Sequence, residues 1–271
     1  MSTQIDINKL HSLELKIAKE VKRVCDKNNI DYFLIAGTLL GAIRHKGFIP
    51  WDDDMDIGML RKDYDKFIEV CKTDLSEEFF LQTWDSDPNY PFSYGKVRLN
   101  KTHISETFAI GADIHDGIFI DVFPFDNVPL KEKQIASQRK KSFIYKRILW
   151  IKKGFGKSIK NSSPLKYMCF NLFSKLLRYN KMKERYKKLL IKFNNIESDL
   201  VVTDGSYDYS KETIKKTYFL EKTEVNFEND KFTTFKDYEN YLSYFYGDYM
   251  KLPPIEKRKT HGIINIDFGE Y

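Results

Sequence analysis

Four aspartates, Asp52, Asp53, Asp54 and Asp56, close one continuous stretch from Leu34 to Met59, LIAGTLLGAIRHKGFIPWDDDMDIGM, and charges so crowded can be accommodated in only a few ways. The stretch opens on Tyr32-Phe33-Leu34-Ile35, apolar and partly β-branched, as a core strand is. Gly37-Thr38 then permits a tight turn, and Thr38 can cap a short helix through Leu39, Leu40, Gly41, Ala42 and Ile43. Backbone N–H groups at such a helix start favour an anion. Gly47 and Pro50 punctuate the return, and Asp54-Met55-Asp56-Ile57 reads as a second strand. If the extended conformation begins early enough, period two puts Asp52, Asp54 and Asp56 on one face and Asp53 and Met55 on the other.

Carboxylates converging on one face repel each other unless a cation lies between them. Hard oxygen ligands of this kind suit Mg²⁺ or Mn²⁺, which also bind phosphates. A solvated acidic turn is the plainer reading of such a run. The preceding phosphate-cradling turn argues against it. A calcium loop fails on register: counted from Asp52, glycine comes seventh (Gly58) and position twelve is Asp63. No Gly-Lys-Ser/Thr phosphate loop occurs.

Ala36-Gly37-Thr38-Leu39-Leu40-Gly41-Ala42-Ile43-Arg44-His45, followed by Gly47-Phe48-Ile49-Pro50-Trp51-Asp52-Asp53-Asp54 and Asp56, resembles the signature of the LicD family. Tyr246-Gly247-Asp248-Tyr249, Leu252-Pro253-Pro254, Glu256-Lys257-Arg258 and His261-Gly262 are similar to the family's C-terminal end. The resemblance implies an α/β (α+β) nucleotidyltransferase-like fold, a small mixed sheet flanked by helices. It also implies transfer of phosphocholine, or a related phospho-alcohol such as phosphoribitol or phosphoglycerol, from a CDP-linked donor such as CDP-choline. The acceptor would be a hydroxyl of a cell-surface glycan or teichoic acid precursor, with CMP released. The fukutin-related ribitol-phosphate transferases belong to the same superfamily.

Two further segments bear on that expectation. Phe92 to Asn100 alternates, with Lys96 and Arg98 on one face and Val97 and Leu99 on the other. Two cations side by side near an acidic site suggest phosphates between them and a metal, although a solvent-facing strand has the same spacing. In Gly117-Ile118-Phe119-Ile120-Asp121-Val122-Phe123-Pro124, one aspartate stands inside an apolar strand, where it is costly unless paired or metal-bound. A strand-end aspartate capping a turn before Pro124 is the competing reading, and Asp126 is assigned to that turn. Taken with the resemblance, Asp54, Asp56 and Asp121 are the expected ligands of one or two Mg²⁺ or Mn²⁺. Asp52 would assist or act as base. Gly37, Thr38, Arg44, His45, Lys96, Arg98 and His261 would contact the donor.

Composition sets the remaining bounds. At 271 residues with 42% hydrophobic residues, the chain can bury one substantial core. The start, MSTQIDINKL, lacks the cationic and apolar regions of a signal peptide, and no apolar run spans a bilayer. Cys25, Cys71 and Cys169 are too scattered for a disulfide frame or zinc site and fit reduced core thiols in a cytoplasmic protein. The net charge of +6 conceals segregation: residues 131–195 hold 20 Lys/Arg against 2 Asp/Glu. Nucleic-acid binding cannot be inferred from that total, and none is expected. The chain therefore reads as a single catalytic domain, 1–271, carrying a basic helical insertion at 131–195. Its lysines and Trp150, Phe155 and Phe173 suit peripheral contact with the anionic inner face of a membrane, where a lipid-linked acceptor would lie. An NMP-adding nucleotidyltransferase and a non-catalytic membrane- or glycan-binding protein are the alternatives.

Overall fold

The computed structural model describes residues 5–107, 109, 112–155, 157–205, 208–258, 260 and 262–271. The N-terminal half alternates helices and strands: α1 (Ile7–Asn28), β1 (Phe33–Leu34), α2 (Ala36–Arg44), β2 (Asp56–Leu60), α3 (Arg61–Asp74), β3 (Phe79–Gln82), β4 (Gly95–Leu99), β5 (His103–Glu106) and β6 (Phe119–Asn127). Helix α1 forms because Leu10, Leu13, Ile17, Val21 and Val24 recur on one face, which is buried. Asp6 caps its start by accepting from the Lys9 N–H, and Asn29 ends it in the left-handed conformation, φ 50°. Cys25 and Cys71 are buried in the core, whereas Cys169 is exposed.

The main sheet runs β1-β2-β6-β4-β3, with β2 and β6 parallel and the other neighbours antiparallel. The mixed α/β sheet is thus as expected. Strand β6 lies at its centre, and α1 packs on β4 and β6. Register aligns Asp56 with Asp121, Asp121 with Lys96, and Lys96 with Gln82, so one transverse row carries two acids, a cation and an amide. Ile120 and Val122 alternate with Asp121 and are fully buried.

Three local expectations are corrected. Strand β2 begins at Asp56, so residues 52–54 form a loop rather than an alternating strand. Strand β4 is buried along its whole length, which removes the solvent-facing reading of Lys96 and Arg98. Strand β6 continues through Pro124 to Asn127, so Asp121 stands inside it. Asp126, also in the strand, is buried and held by Arg61, Nε to Oδ1 at 2.8 Å and Nη2 to Oδ2 at 2.7 Å.

The basic segment forms α4 (Glu132–Lys152), α5 (Lys157–Ser162), α6 (Pro164–Lys175) and α7 (Tyr179–Leu190). Phe155 is buried and half-buried Trp150 meets Phe92 edge-on, so neither is free for insertion into lipid. Exposed apolar residues of the segment gather instead at Leu165, Met168, Leu172, Phe173 and Leu176, on and just after α6, with Phe143 and Ile191 exposed elsewhere.

The chain then adds β7 (Leu200–Val202) and β8 (Thr213–Lys215) to the end of β6, a hairpin of β9 (Lys222–Phe227) and β10 (Asp230–Phe235), α8 (Tyr238–Tyr246), and β11 (Ile263–Asp267), which pairs with β5. The hairpin turn clasps the return loop of the signature. The Phe48 N–H donates to Glu228 Oε1 at 3.0 Å, and the Glu228 N–H donates to the Lys46 carbonyl at 2.8 Å. Helix α2 lies so close that a methyl on Gly41 would come within 2.5 Å of the Gly47 carbonyl oxygen. Alanine's better helix propensity, about 1 kcal/mol, cannot offset a displaced backbone loop. Gly41→Ala is therefore expected to lower the melting temperature, by about 1–3 kcal/mol of stability. An unchanged or raised Tm in thermal unfolding would show that the loop yields.

Candidate active site

The acids converge where β1, α2 and β2 meet. Helix α2 starts at Ala36, earlier than expected, and Thr38 does not cap it; Ile35 is the N-cap and offers no side chain. The Thr38 hydroxyl instead accepts from the Asp56 N–H at 2.7 Å, tying the first turn of α2 to the first residue of β2. Ala36 holds φ 49°, a strained value for a residue with a side chain, and its N–H donates to the Tyr241 hydroxyl at 3.1 Å. The first intrahelical bond runs from the Leu39 N–H to the Ile35 carbonyl, so the N–H groups of Gly37 and Thr38 precede the ladder. A methyl on Gly37 would come within 2.8 Å of Asp52 Oδ2, so the bare backbone there admits the carboxylate.

The aspartate loop is gathered rather than splayed. One carboxylate oxygen each from Asp52, Asp53 and Asp54 lies within 4.8 Å of the others, and Asp53 is buried with them. From behind, His11 on α1 reaches the Asp52 carbonyl through Nε2 at 2.7 Å while its ring stacks on Phe48. Asp56 adjoins the loop, and its carboxyl is pushed well above the usual range, first by burial and then by Asp54, Asp121 and Asp52; Lys96 opposes that rise. Among the described residues the fold thus brings together Asp52, Asp54, Asp56, Asp121 and Lys96.

Lys96 is buried, its ammonium 2.6 Å from Asp121 Oδ1 and 3.3 Å from the centre of the Phe119 ring. Arg98 is buried beside it, but Nε donates to Gln82 at 2.5 Å and Nη1 to the Gly117 carbonyl at 2.6 Å. The two cations therefore have internal partners. Arg44 and His45 lie on a separate rim: Arg44 donates to the Tyr249 carbonyl at 3.0 Å, and His45 meets Trp51 edge-on. Burial, Arg44 and Arg258 lower the His45 pKa. Arg258 covers the other ring contact of Trp51, at 4.8 Å. His261 lies outside the described residues.

Sequence reasoning missed three acids. Glu14 is fully buried on α1, and its pKa is driven up by burial and by Asp54, Asp53, Asp52 and Asp56. Its signal was available: it falls within the apolar stripe of Leu10, Leu13 and Ile17, where a charge is out of place. Asp53 was assigned to the wrong face by assuming a strand. Glu106, on β5, also has a raised pKa, from burial; Lys96 and Arg98 oppose the rise, while Asp121 and Asp53 add to it. Nothing in its local sequence marked it.

Comparison with known proteins matches residues 29–173 to the LicD/FKTN/FKRP nucleotidyltransferase domain. Over 254 residues the chain is 33% identical to the lipopolysaccharide cholinephosphotransferase LicD of Haemophilus influenzae, covering 92% of this chain and 93% of that protein. The chain belongs to the LicD family. It is a phosphotransferase. A shorter match, 44% identity over 46 residues, links it to the human and mouse ribitol 5-phosphate transferase FKRP, over 17% of this chain and 9% of those.

The titration directions fix a pH dependence. Asp56 and Glu14 have folded pKa values raised above their ordinary 3.8 and 4.5, so the native state holds more protons than the unfolded one above those values. Stability without divalent cations should fall as pH rises from about 4.5 through the raised pKa values. Below that, Glu20 acts oppositely: its hydrogen bonds to Arg23 lead in holding it at about 2, so its contribution is lost on acidification. Thermal unfolding in a chelator should therefore peak in mildly acid buffer, and Mg²⁺ should raise Tm more at pH 8 than at pH 5. A chelated protein whose Tm climbs steadily to pH 8, unmoved by Mg²⁺, would contradict this.

Proposed function

We propose that this LicD-family phosphotransferase moves phosphocholine, or a related phospho-alcohol, from a CDP-linked donor to a glycan hydroxyl with the help of a divalent cation. The observation that carries the reading is the row Asp56–Asp121–Lys96 with Asp52 and Asp54 beside it, at the start of α2. The full-length likeness to a cholinephosphotransferase supports choline as cargo, and the short likeness to a ribitol 5-phosphate transferase keeps other alcohols in view.

The residues fit Mg²⁺ or Mn²⁺ on two counts. The acids Asp54, Asp56 and Asp121 offer only hard carboxylate oxygens, and the adjoining loop gathers one oxygen each from Asp52, Asp53 and Asp54 within 4.8 Å of one another. Asp54, Asp56 and Asp121 would hold the cation, which when bound supplies Lewis-acid charge to the donor's pyrophosphate. The chain's own groups do the rest. The Gly37 and Thr38 N–H groups, at the positive end of α2, offer hydrogen bonds to phosphate oxygens. Lys96 lends positive charge beside Asp121, and Arg98 supports that strand from within through Gln82 and Gly117. Arg44 and His45 lie on the rim with Arg258 and Trp51, a cationic and aromatic surface suited to a nucleotide.

In the transfer the acceptor oxygen forms a bond to the phosphorus of the phospho-alcohol, and the bond from that phosphorus to the bridging oxygen breaks. CMP leaves with the electron pair. Asp52, whose carbonyl is anchored by His11 and whose carboxylate lies close to Gly37, would take the acceptor's proton. Incubation with CDP-choline, CDP-ribitol, CDP-glycerol and CDP-ethanolamine in Mg²⁺ should release CMP from at least one donor. Release of pyrophosphate from a nucleoside triphosphate, with every CDP-alcohol inert, would favour ordinary nucleotidyl transfer.

The acceptor is proposed to be lipid-linked and approached at an anionic membrane surface. No helix among the described residues is long and apolar enough to cross a membrane. What supports peripheral contact is the +18 segment together with Leu165, Met168, Leu172, Phe173 and Leu176, exposed near Lys166 and Lys175. Lys153 is a poor contributor, since it donates to Asn89 at 2.6 Å and lies over Tyr179. Each lysine near such a surface adds roughly 1 kcal/mol. The protein should co-sediment with anionic but not neutral vesicles, less so as salt rises. Changing Lys160, Lys166 and Lys175 to Gln, with Leu172→Asp, should abolish sedimentation while turnover on a soluble acceptor persists. Equal binding to neutral vesicles would contradict the electrostatic part.

A further inference from the structure

Tyr241 reaches the candidate site from α8, a helix outside the matched family domain. It is 2% exposed, and its ring packs on Phe235 at 4.8 Å, Phe245 at 4.9 Å and Tyr218 at 5.7 Å between ring centres. A ring held in this way delivers its hydroxyl to one place, the Ala36 N–H, 3.1 Å away. Phenylalanine would supply the same apolar packing, so what the hydroxyl adds is the bond to Ala36.

Ala36 needs that hold. Its φ of 49° lies in the left-handed region, where a side chain is strained and glycine is at ease. The same turn sets two of the acids of the proposed function. On one side of Ala36, the Ile35 N–H donates to the Asp56 carbonyl at 3.3 Å. On the other, Gly37 lies close to the Asp52 carboxylate, and the Thr38 hydroxyl accepts from the Asp56 N–H at 2.7 Å. Relaxation of Ala36 into an ordinary backbone region would redirect the chain between these contacts and pull them apart.

We propose that Tyr241 is a positioning residue for phospho-alcohol transfer: its hydroxyl holds Ala36 in the left-handed conformation, and that turn in turn sets Asp52 and Asp56. Tyr241 itself touches no reacting atom. The inference rests on the reading that those two acids serve the transfer.

A double-variant cycle and amide hydrogen–deuterium exchange, both on the full chain, test it. Tyr241→Phe keeps the ring contacts and loses only the bond to Ala36. Its kcat for CMP release in Mg²⁺, from whichever of CDP-choline, CDP-ribitol, CDP-glycerol and CDP-ethanolamine wild type uses, should fall about fivefold, as loss of one hydrogen bond predicts. Adding Ala36→Gly, which relieves the strain, should restore most of that loss and should gain less where the hydroxyl is present. Lost packing would not be repaired by a glycine 205 residues away in sequence. Exchange in Tyr241→Phe should quicken at residues 36–40 and at Asp56, and not along α8 or the β9–β10 hairpin. A Tyr241→Phe enzyme as active as wild type, or a loss that Ala36→Gly leaves unrepaired, overturns this inference and leaves the functional reading intact. Failure of both the single and the double variant to fold also overturns it, since Tyr241 would then be a packing residue. No CMP release by wild type from any of the four donors overturns the functional reading, and exchange still decides whether Tyr241 holds the turn.

Discussion

Mutual repulsion among carboxylates governs how this protein is built. Parallel pairing of β2 with β6 brings Asp56 beside Asp121, and the aspartate loop and Glu14 crowd in behind. Lys96 answers Asp121 through a buried ion pair set by the antiparallel register of β4 on β6. A fold seeking stability alone would replace such a cluster with apolar residues. The proposed divalent cation would account for its presence in the sheet centre, and the surrounding structure holds the cluster together.

The restraint comes from several directions. Thr38 fixes the start of β2, His11 fixes the Asp52 carbonyl, and Tyr241 fixes the strained start of α2 at Ala36. The β9–β10 turn holds the return loop through Glu228, which explains why α2 and that loop approach closely enough to require Gly41. Apart from Thr38, which lies on α2 itself, these restraints come from α1, the hairpin and α8. The C-terminal third is therefore part of the scaffold of the candidate site, and the likeness to the Haemophilus influenzae protein also runs along nearly the whole chain.

Much of this was legible in the sequence because it was written in periodicity and in a dense motif. Helix α1, the acidic strand, the buried Asp121 and the helical character of residues 131–195 all carry local signals. The loop conformation of residues 52–54 was not legible, since four aspartates in five residues alternate as well as they turn. The internal partners of Arg98, namely Gln82 and the Gly117 carbonyl, lie 16 and 19 residues away and depend on the register of β3, β4 and β6. Strands β7 and β8 are three residues each and pair at the end of β6, so tertiary pairing and not local pattern defines them. Trp150 and Phe155 looked available to lipid because aromatic residues among lysines read alike whether they pack inward or outward. The exposed stripe on α6 is visible only once α4 and α7 have claimed the inner faces.

The most direct test of the account is phospho-alcohol transfer by Asp56→Asn, measured as CMP release beside the melting temperature of the same preparation. A cluster kept for a cation predicts that transfer is abolished while the metal-free Tm equals or exceeds wild type, because one member of a repelling set has been neutralised. Wild-type turnover by Asp56→Asn would contradict it, as would a loss of activity that merely follows a large fall in Tm.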